Sequence, residues 1–92
     1  MDWRSMRIVA AAILHDGRVY VLPAPARHHD VMRSMLETHN VKASGASEQG
    51  FVTDTGKFVR RKPALIIAEH AKQIIPGRKV SGLCELYSED VW

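Results

Sequence analysis

The sequence predicts an α+β fold in which two helices pack on a small antiparallel sheet built from hairpins. Two turn signals, Asp16-Gly17 and Asp54-Thr55-Gly56, each lie between segments with an extended pattern. Two other segments place apolar residues at three- and four-residue steps, which is the spacing of one helix face. Because hairpin strands pair antiparallel, these observations favour an antiparallel sheet with the helices packed on it.

The first hairpin begins with an apolar run. Residues 8–14 show no alternation and stop just before the Asp16-Gly17 turn, which predicts a strand buried on both faces. The three alanines in this run leave a helix open as an alternative. Residues 18–22 alternate polar and apolar side chains, as a return strand does. Pro23 and Pro25 cannot donate to a sheet ladder, so a connector or a sheet edge is expected there.

The first helix is predicted from about residue 29, where Val31 and Met35 fall on one apolar stripe. Asp30 lies near its start, where a carboxylate accepts hydrogen bonds from free amides and interacts favourably with the helix dipole. Asn40 is expected to end this helix in a left-handed conformation.

The second hairpin is predicted to follow a loop. Residues 42–48 are small and polar with no period, which predicts a surface loop of the kind that often closes over ligands. Phe51 and Phe58 then flank Asp54-Thr55-Gly56, where glycine tolerates positive φ. Two extended segments can therefore fold back on each other at this turn.

A second helix is predicted with Pro63 in its first turn, where the missing amide of proline costs nothing. The apolar residues that follow repeat at helical steps; they are Ala64, Ile67, Ala68, Ala71, Ile74 and Ile75. Pro76-Gly77 is expected to end the helix. The run Leu83-Cys84-Glu85-Leu86-Tyr87 is then predicted as a closing strand.

Length and charge limit the possible functions. With 92 residues, the chain is expected to form one domain, residues 1–92, of modest stability as a monomer. A formal charge of +3 permits phosphate binding but is weak beside the patches of dedicated nucleic-acid binders. No apolar run approaches the roughly 20 residues of a membrane span. Cys84 stands alone and is interpreted as a buried apolar residue, which fits a reducing cytoplasm.

The second hairpin also carries the clearest ligand signal. Phe51 and Phe58 are followed closely by Arg60 and Arg61. An aromatic face stacks on a flat base, and an arginine fork grips phosphate oxygens in pairs. This composition predicts a site for a nucleotide-like anion. The alternative is a hairpin with two core phenylalanines and a solvated basic corner.

A second cluster, Arg27-His28-His29-Asp30, lies where an extended segment leads into a helix. Helix starts bind anions because their free amides and dipole point outward. We expect Arg27 to pair with a phosphate and one imidazole to donate to a ribose hydroxyl or a phosphate. The alternative is a solvated turn in which Asp30 is the cap.

The sequence carries no motif for catalysis or metal binding. Its five histidines stand in no metal-binding spacing, and it has no nucleophile elbow, catalytic-cysteine signature or phosphate-binding glycine motif. General acid–base chemistry by His28 with Glu48 or Asp54 stays open as an alternative. The residues therefore give catalysis no positive support, and we expect no metal or cofactor.

Three segments in this order resemble a family of small bacteriophage proteins, the Thoeris anti-defence sponges. They are Ile8-Val9-Ala10-Ala11-Ala12 with Arg27-His28-His29-Asp30, then Gln49-Gly50-Phe51-Val52-Thr53 through Gly56-Lys57-Phe58-Val59-Arg60-Arg61, and then Leu86-Tyr87-Ser88-Glu89-Asp90. The resemblance covers the chain from about Arg7 to Trp92. Relatives commonly carry acidic residues after the arginine, whereas Lys62-Pro63 follows here, and Arg60 stands where a polar, uncharged residue is often found.

The resemblance implies a non-catalytic protein that sequesters the signalling nucleotide glycocyclic ADP-ribose in the host cell cytoplasm. Family members are homodimers with pockets at the subunit boundary, and some form hexamers with further pockets for cyclic di- or trinucleotides. The implied ligand contacts in this chain are Arg27, His28, Phe51, Thr53, Arg60 and Arg61. In this scheme Phe51 stacks on adenine, Arg27 and Arg61 neutralise the pyrophosphate, and His28 and Thr53 bind ribose.

Two other functions remain open at the level of sequence. A small regulatory module would bind DNA or RNA through the same basic hairpin, with an affinity that falls steeply as salt rises. A hydrolase would cleave the nucleotide that a sponge stores.

Overall fold

The computed structural model describes residues 5–45, 47–76 and 85–92, and it confirms the small α+β fold. The described elements are β1 (Ile8–His15), β2 (Arg18–Pro23), α1 (His28–His39), β3 (Glu48–Thr53), β4 (Phe58–Arg60), α2 (Arg61–His70) and a 3-10 turn (Ser88–Asp90). The four strands form one sheet in the order β2-β1-β3-β4, and every neighbouring pair is antiparallel.

The first hairpin forms as predicted, and the helical alternative for its apolar run is wrong. β1 pairs with β2 from Ala10 opposite Pro23 to His15 opposite Arg18. Both turn residues have positive φ, 52° at Asp16 and 78° at Gly17, as a two-residue hairpin turn requires. β1 also pairs with β3, so it lies in the middle of the sheet.

The loop and the second hairpin are also confirmed. Residues 41–45 and Ser47 have no regular structure, and the Ser47 side chain lies 2.6 Å from His15 Nδ1. Gly56 has a φ of 83° in the turn between β3 and β4. β4 has three residues and is followed at once by α2, so Arg60 ends the strand and Arg61 begins the helix.

Helix α1 starts at His28, one residue before the predicted position. The Arg27 N–H donates to Asp30 Oδ2 at 2.9 Å, which confirms the expected role of Asp30 at the helix start. This hydrogen bond is the main reason why the pKa of Asp30 is lowered. Asn40 ends the helix with a φ of 54°, and its N–H donates to the Leu36 carbonyl.

Pro63 lies in the first turn of the second helix, as predicted, but the predicted end of this helix is wrong. α2 begins at Arg61 and ends at His70 instead of continuing to Ile75. Lys72 has a φ of 58°, and the Gln73 N–H closes the end by donating to the Ala68 carbonyl.

The side chain of Gln73 explains why the helix stops early. Its amide donates to the Ile8 carbonyl and accepts from the Ile8 N–H, each at 2.8 Å, which joins this segment to the start of β1. Ile74 still packs on the core, although it lies outside the helix. The three- and four-residue spacing of apolar residues therefore extends beyond the end of α2, and it predicted a helix that was too long.

The predicted closing strand is wrong in the part that the structure describes. Glu85, Leu86 and Tyr87 are not in a strand, although Leu86 is fully buried. Leu83 and Cys84 lie outside the described residues, so the interpretation of Cys84 stays a prediction. The chain instead forms the 3-10 turn, in which the Tyr87 N–H donates to Asp90 Oδ2 at 2.9 Å.

Both helices pack on one face of the sheet, which we call the helix face. α1 covers Ala11 and Ile13 of β1 with Val31 and Met35. α2 lies over the other half, where the core consists of Met6, Ile8, Phe51, Val59, Ala64, Leu65, Ile67, Ala68 and Leu86. Trp92 packs against both halves. The opposite side of the sheet, the open face, carries no helix among the described residues.

Candidate functional site

Phe51 lies in the core, as the alternative interpretation of the hairpin requires. It is 0% exposed. Its ring meets the His28 ring edge to face at 5.0 Å and the Trp92 ring at 6.2 Å between centroids. Because the ring has no exposed surface, no base can stack on it in this structure, and the expected stacking role of Phe51 is corrected to a packing role.

Thr53 is also enclosed, with 1% of its surface exposed. Its Oγ1 lies 2.8 Å from Thr55 Oγ1 and accepts from the Lys57 N–H at 3.2 Å. These bonds hold the turn between β3 and β4. The expected contact between Thr53 and a ribose is therefore corrected to a structural hydrogen bond.

His28 joins α1 to the sheet. It is 7% exposed, and its Nε2 lies 2.7 Å from the Gly50 carbonyl oxygen, so Nε2–H donates to that oxygen. Burial is the main reason why the pKa of His28 is lowered, and the nearby positive charge of Arg61 lowers it further. Since its Nε2 is already used inside the protein, we assign His28 a structural role instead of the expected ribose contact.

Arg27 holds the last residues of the chain. Its Nη2 donates to the main-chain oxygen of Trp92 at 2.8 Å, and its Nη1 lies 3.7 Å from Glu89 Oε1. The Trp92 indole N–H donates in turn to the Ala26 carbonyl at 2.9 Å. The guanidinium that was expected to meet a phosphate is therefore engaged with residues 89–92.

Arg61 lies at the first position of α2 and is half-buried. Its Nη2 donates to Gln49 Oε1, and its guanidinium carbon lies 4.6 Å from the centroid of the Tyr87 ring. Its Nε is buried with no acceptor among the described residues. Buried charged donors are normally paired, so an acceptor that reached this Nε would bind favourably.

Arg60 lies beside Arg61 and is exposed to solvent. Its Nε donates to Glu48 Oε2, and this hydrogen bond is the main reason why the pKa of Glu48 is lowered. The Arg60 side chain is 67% exposed, and that of Glu48 is 46% exposed. A pair this exposed contributes little to stability, so Arg60 can change partners at small cost.

These two arginines border a cleft of about 460 Å³ between the start of β3 and the start of α2. Its lining residues are Glu48, Gln49, Arg60, Arg61, Lys62, Pro63 and Glu85. The volume falls in the range of about 300 to 1,000 Å³ that small-molecule sites occupy. We call this cavity the α2 cleft.

The start of α2 is strongly positive. Arg60, Arg61 and Lys62 follow one another across the helix start, the first turn contains no acidic residue, and no side chain caps it. The amides and the dipole add further positive potential at this end. These groups would attract an anion into the α2 cleft, against the opposing charge of the Glu48 and Glu85 carboxylates that also line it.

The structure therefore divides the six expected contact residues. Arg60 and Arg61 meet at the α2 cleft, whereas Arg27, His28, Phe51 and Thr53 make internal contacts elsewhere. Sequence reasoning missed Gln49, Lys62 and Glu85 as lining residues. Lys62 could have been found from its place next to Arg60 and Arg61. No local sequence pattern indicates that Glu85 lies at the α2 cleft.

Two further features of the described residues bear on the site. No group of three or more His, Cys, Asp or Glu side chains that could hold a metal ion occurs in the described part of the chain. None of the helices that the structure describes is long and apolar enough to cross a membrane.

Comparison with known proteins identified one family. A family model described as phage T4 y16D protein matches residues 7–92. No curated protein and no solved structure matches the chain.

Proposed function

We propose that this chain, which belongs to the phage T4 y16D protein family, is a non-catalytic protein that binds and sequesters a nucleotide messenger. The proposed messenger is glycocyclic ADP-ribose, with cyclic di- and trinucleotides as the wider ligand class. Removing the free messenger in the cytoplasm of the infected cell keeps the downstream defence effector silent. A homodimer or hexamer, as in the anti-defence family that the chain resembles, is part of this proposal.

The start of α2 is the observation that carries the proposal. An ordinary helix start carries acidic or capping side chains, because these compensate its free amides and its dipole. Here three successive basic residues, Arg60 to Lys62, occupy that place without an acidic residue in the first turn. This arrangement is unfavourable on its own and becomes favourable when a phosphate binds, which supports a pyrophosphate-bearing ligand.

Tyr87 is the aromatic side chain that can take the role first expected of Phe51. It is half-buried, it lies against the guanidinium of Arg61, and it is two residues from the cleft residue Glu85. Tyr87 does not itself line the α2 cleft, but a base stacked on it would lie beside Arg61, which does. We therefore assign base stacking to Tyr87, with Arg61 and Arg60 neutralising the phosphates.

A sponge must bind tightly, because it is consumed in proportion to the messenger that it holds. Nanomolar affinity corresponds to about 12 kcal/mol of binding free energy. The pairing of Arg61 with Gln49 and Tyr87 fixes its guanidinium before the ligand arrives, which reduces the entropy cost of binding.

The test loads the purified chain with glycocyclic ADP-ribose, removes free ligand, and then releases the bound fraction by heating. Chromatography with mass detection identifies what is released. The proposal predicts the intact messenger in an amount that matches the number of sites. Release of hydrolysed products would instead establish a hydrolase.

The same preparation tests the remaining alternative. Binding to a duplex or single-stranded oligonucleotide that weakens steeply with salt, together with no retained messenger, would establish a nucleic-acid module and overturn the proposal. Parallel loading of the Arg61→Ala variant, with Arg33→Ala as the matched arginine control, shows whether retention depends on the α2 cleft. Arg33 is exposed on α1 and does not line that cleft.

A further inference from the structure

Phe58 is an aromatic side chain that does not line the α2 cleft. It lies on β4, and strand alternation places it on the open face, because its neighbour Val59 packs in the core with Phe51. Phe58 is half-buried, and its ring occupies the space beside Gly50 on β3, since a Cβ on that glycine would lie 2.6 Å from the ring atom Cζ. The sheet therefore holds this ring in place and leaves part of it open to a ligand.

A cleft of about 370 Å³ lies beside this ring, and we call it the Phe58 cleft. Leu14 and Pro63 give it apolar walls, and Lys57 and Arg60 give it positive charge. None of the described residues that line it is acidic. An aromatic ring beside positive charge suits a nucleobase and its phosphate, because the base stacks on the ring while the cations neutralise the phosphate. The volume also falls in the range of small-molecule sites.

The Phe58 cleft adjoins the α2 cleft, because Arg60 and Pro63 line both cavities. The pair of Arg60 with Glu48 is exposed and contributes little to stability, so the guanidinium can turn to a phosphate that lies between the two clefts. Arg61, the next residue, lies against the ring of Tyr87. These contacts connect one aromatic ring, two arginines and a second aromatic ring.

We propose that the Phe58 cleft is a second base-binding subsite and that the site as a whole takes a linear dinucleotide, in which a pyrophosphate joins two nucleosides. One base stacks on Phe58 and the other on Tyr87, while Arg60 and Arg61 neutralise the pyrophosphate between them. A neutral purine suits the Phe58 cleft, because Lys57 and Arg60 repel a cationic ring. The inference rests on the proposed function for the position of the phosphates, and it extends the ligand class beyond a messenger with one base.

Calorimetry with ADP-ribose and with diadenosine pyrophosphate tests the second subsite. These ligands share the pyrophosphate, the adenosine and the second ribose, and they differ only in the second adenine. The wild type is expected to bind diadenosine pyrophosphate about tenfold more tightly, because an additional base stacks on an aromatic ring.

Variants of Phe58 assign this difference to the ring. Phe58→Leu, which keeps an apolar side chain, should lose most of the difference between the two ligands, whereas Phe58→Tyr, which keeps the ring, should retain it. Val19→Ala is the control, because Val19 is 38% exposed on the open face and lines neither cleft. Circular dichroism melts show whether each variant is folded.

Methyl signals in the wild type provide a measurement that does not depend on the variants. The ¹³C methyl signals of Leu14 should shift when diadenosine pyrophosphate binds, because Leu14 lines the Phe58 cleft and would lie near the bound base. Those of Leu22, which packs in the core under α1, should stay in place.

Equal affinities for the two ligands in the wild type would overturn the inference. So would a difference that persists in Phe58→Leu, or Leu14 signals that do not move. Retention of glycocyclic ADP-ribose together with equal affinities would remove the second subsite and leave the proposed function intact. A tenfold preference for diadenosine pyrophosphate without retention of the messenger would keep the subsite and remove the proposed function.

Discussion

The two helices begin in similar ways, but the charges in their first turns differ. Each helix follows an extended segment, and each has an arginine at the position before its first residue. At α1 the Asp30 carboxylate reaches back to the Arg27 N–H and supplies negative charge. At α2 the third helical residue is Pro63, whose side chain neither accepts a hydrogen bond nor carries a negative charge. The α1 start therefore has a carboxylate in its own first turn, whereas the carboxylates at the α2 start, Glu48 and Glu85, come from outside that helix.

The side chains around the two starts differ in the same way. At α1, His28 lies buried against Gly50 and Phe51, so this start is built into the core. At α2, Arg60 is exposed and Arg61 retains a buried Nε without an acceptor among the described residues. We therefore expect changes at the α1 start to alter stability and changes at the α2 start to alter ligand affinity.

Replacement of Arg61 should give the largest effect on binding. Arg61→Ala removes a charge-assisted pair worth about 1.5 to 3 kcal/mol, so the affinity for glycocyclic ADP-ribose should fall about 10- to 150-fold. Isothermal titration calorimetry measures this change. Arg33→Ala on α1 is the control and should bind as the wild type does; equal losses in both variants would remove the α2 cleft from the account.

The α1 start should respond to pH through stability. Since the folded protein lowers the pKa of His28 below its ordinary value of 6.5, the unfolded chain binds the proton more readily. Stability contributed by neutral His28 is therefore complete above that value and is lost as the pH falls below it, at most by about 1.4 kcal/mol per pH unit.

Denaturant unfolding between pH 7.5 and pH 5 in matched buffers measures this effect. In His28→Gln the part of the slope that belongs to His28 should disappear, even though the variant starts from a lower stability. His29→Gln changes the exposed neighbouring histidine, whose Nε2 lies 3.3 Å from Asp30 Oδ1, and should keep the part of the slope that belongs to His28. A slope that survives in His28→Gln would show that another group causes it.

Giving α2 the acidic residue that α1 has should make the two starts alike. In Pro63→Asp a carboxylate at the third position would interact favourably with the helix start, by about 0.3 to 1 kcal/mol. The same charge would compete with the phosphate, so affinity should fall several-fold while thermal stability holds or rises. Pro63→Asn, measured in the same calorimetry and melting experiments, separates the charge from the loss of proline. Unchanged affinity in Pro63→Asp would contradict an anion site at this end of the helix.

Removal of the acidic residue from the start of α1 should have the smallest effect on stability and on ligand affinity. Asp30→Asn weakens the acceptor for the Arg27 N–H and removes the negative charge from the helix start, so the melting temperature should decrease slightly. Ligand affinity should not change. A loss of binding without a loss of stability would mean that the α1 start belongs to the site after all.

The fold was predictable where a signal is local. The Asp16-Gly17 and Asp54-Thr55-Gly56 turns require positive φ, and Asp30 and Asn40 bound α1 by short-range hydrogen bonds. The end of α2 was not predictable, because it depends on a contact between Gln73 and Ile8 that spans 65 residues. Spacing alone cannot show where such a contact interrupts an apolar repeat.

The site was only half predictable for a related reason. The consecutive charges of Arg60 and Arg61 are visible in the sequence, and the structure places both at the cleft. Phe51 and Thr53 have residue types that suit either a ligand or a core, and their place in the strand alternation relative to the helices decides between the two. That relation is tertiary, and so is the return of Glu85 to the cleft.

Amide chemical shifts test the central claim most directly, because they report on both helix starts in one sample. The chain is labelled with ¹⁵N and titrated with glycocyclic ADP-ribose. The account predicts that the main-chain N–H signals of Arg61 and Lys62, and the Nε–H signal of Arg61, shift with the ligand while those of His29 and Asp30 stay in place. Shifts concentrated at His29 and Asp30, or no shift at either helix start, would contradict it.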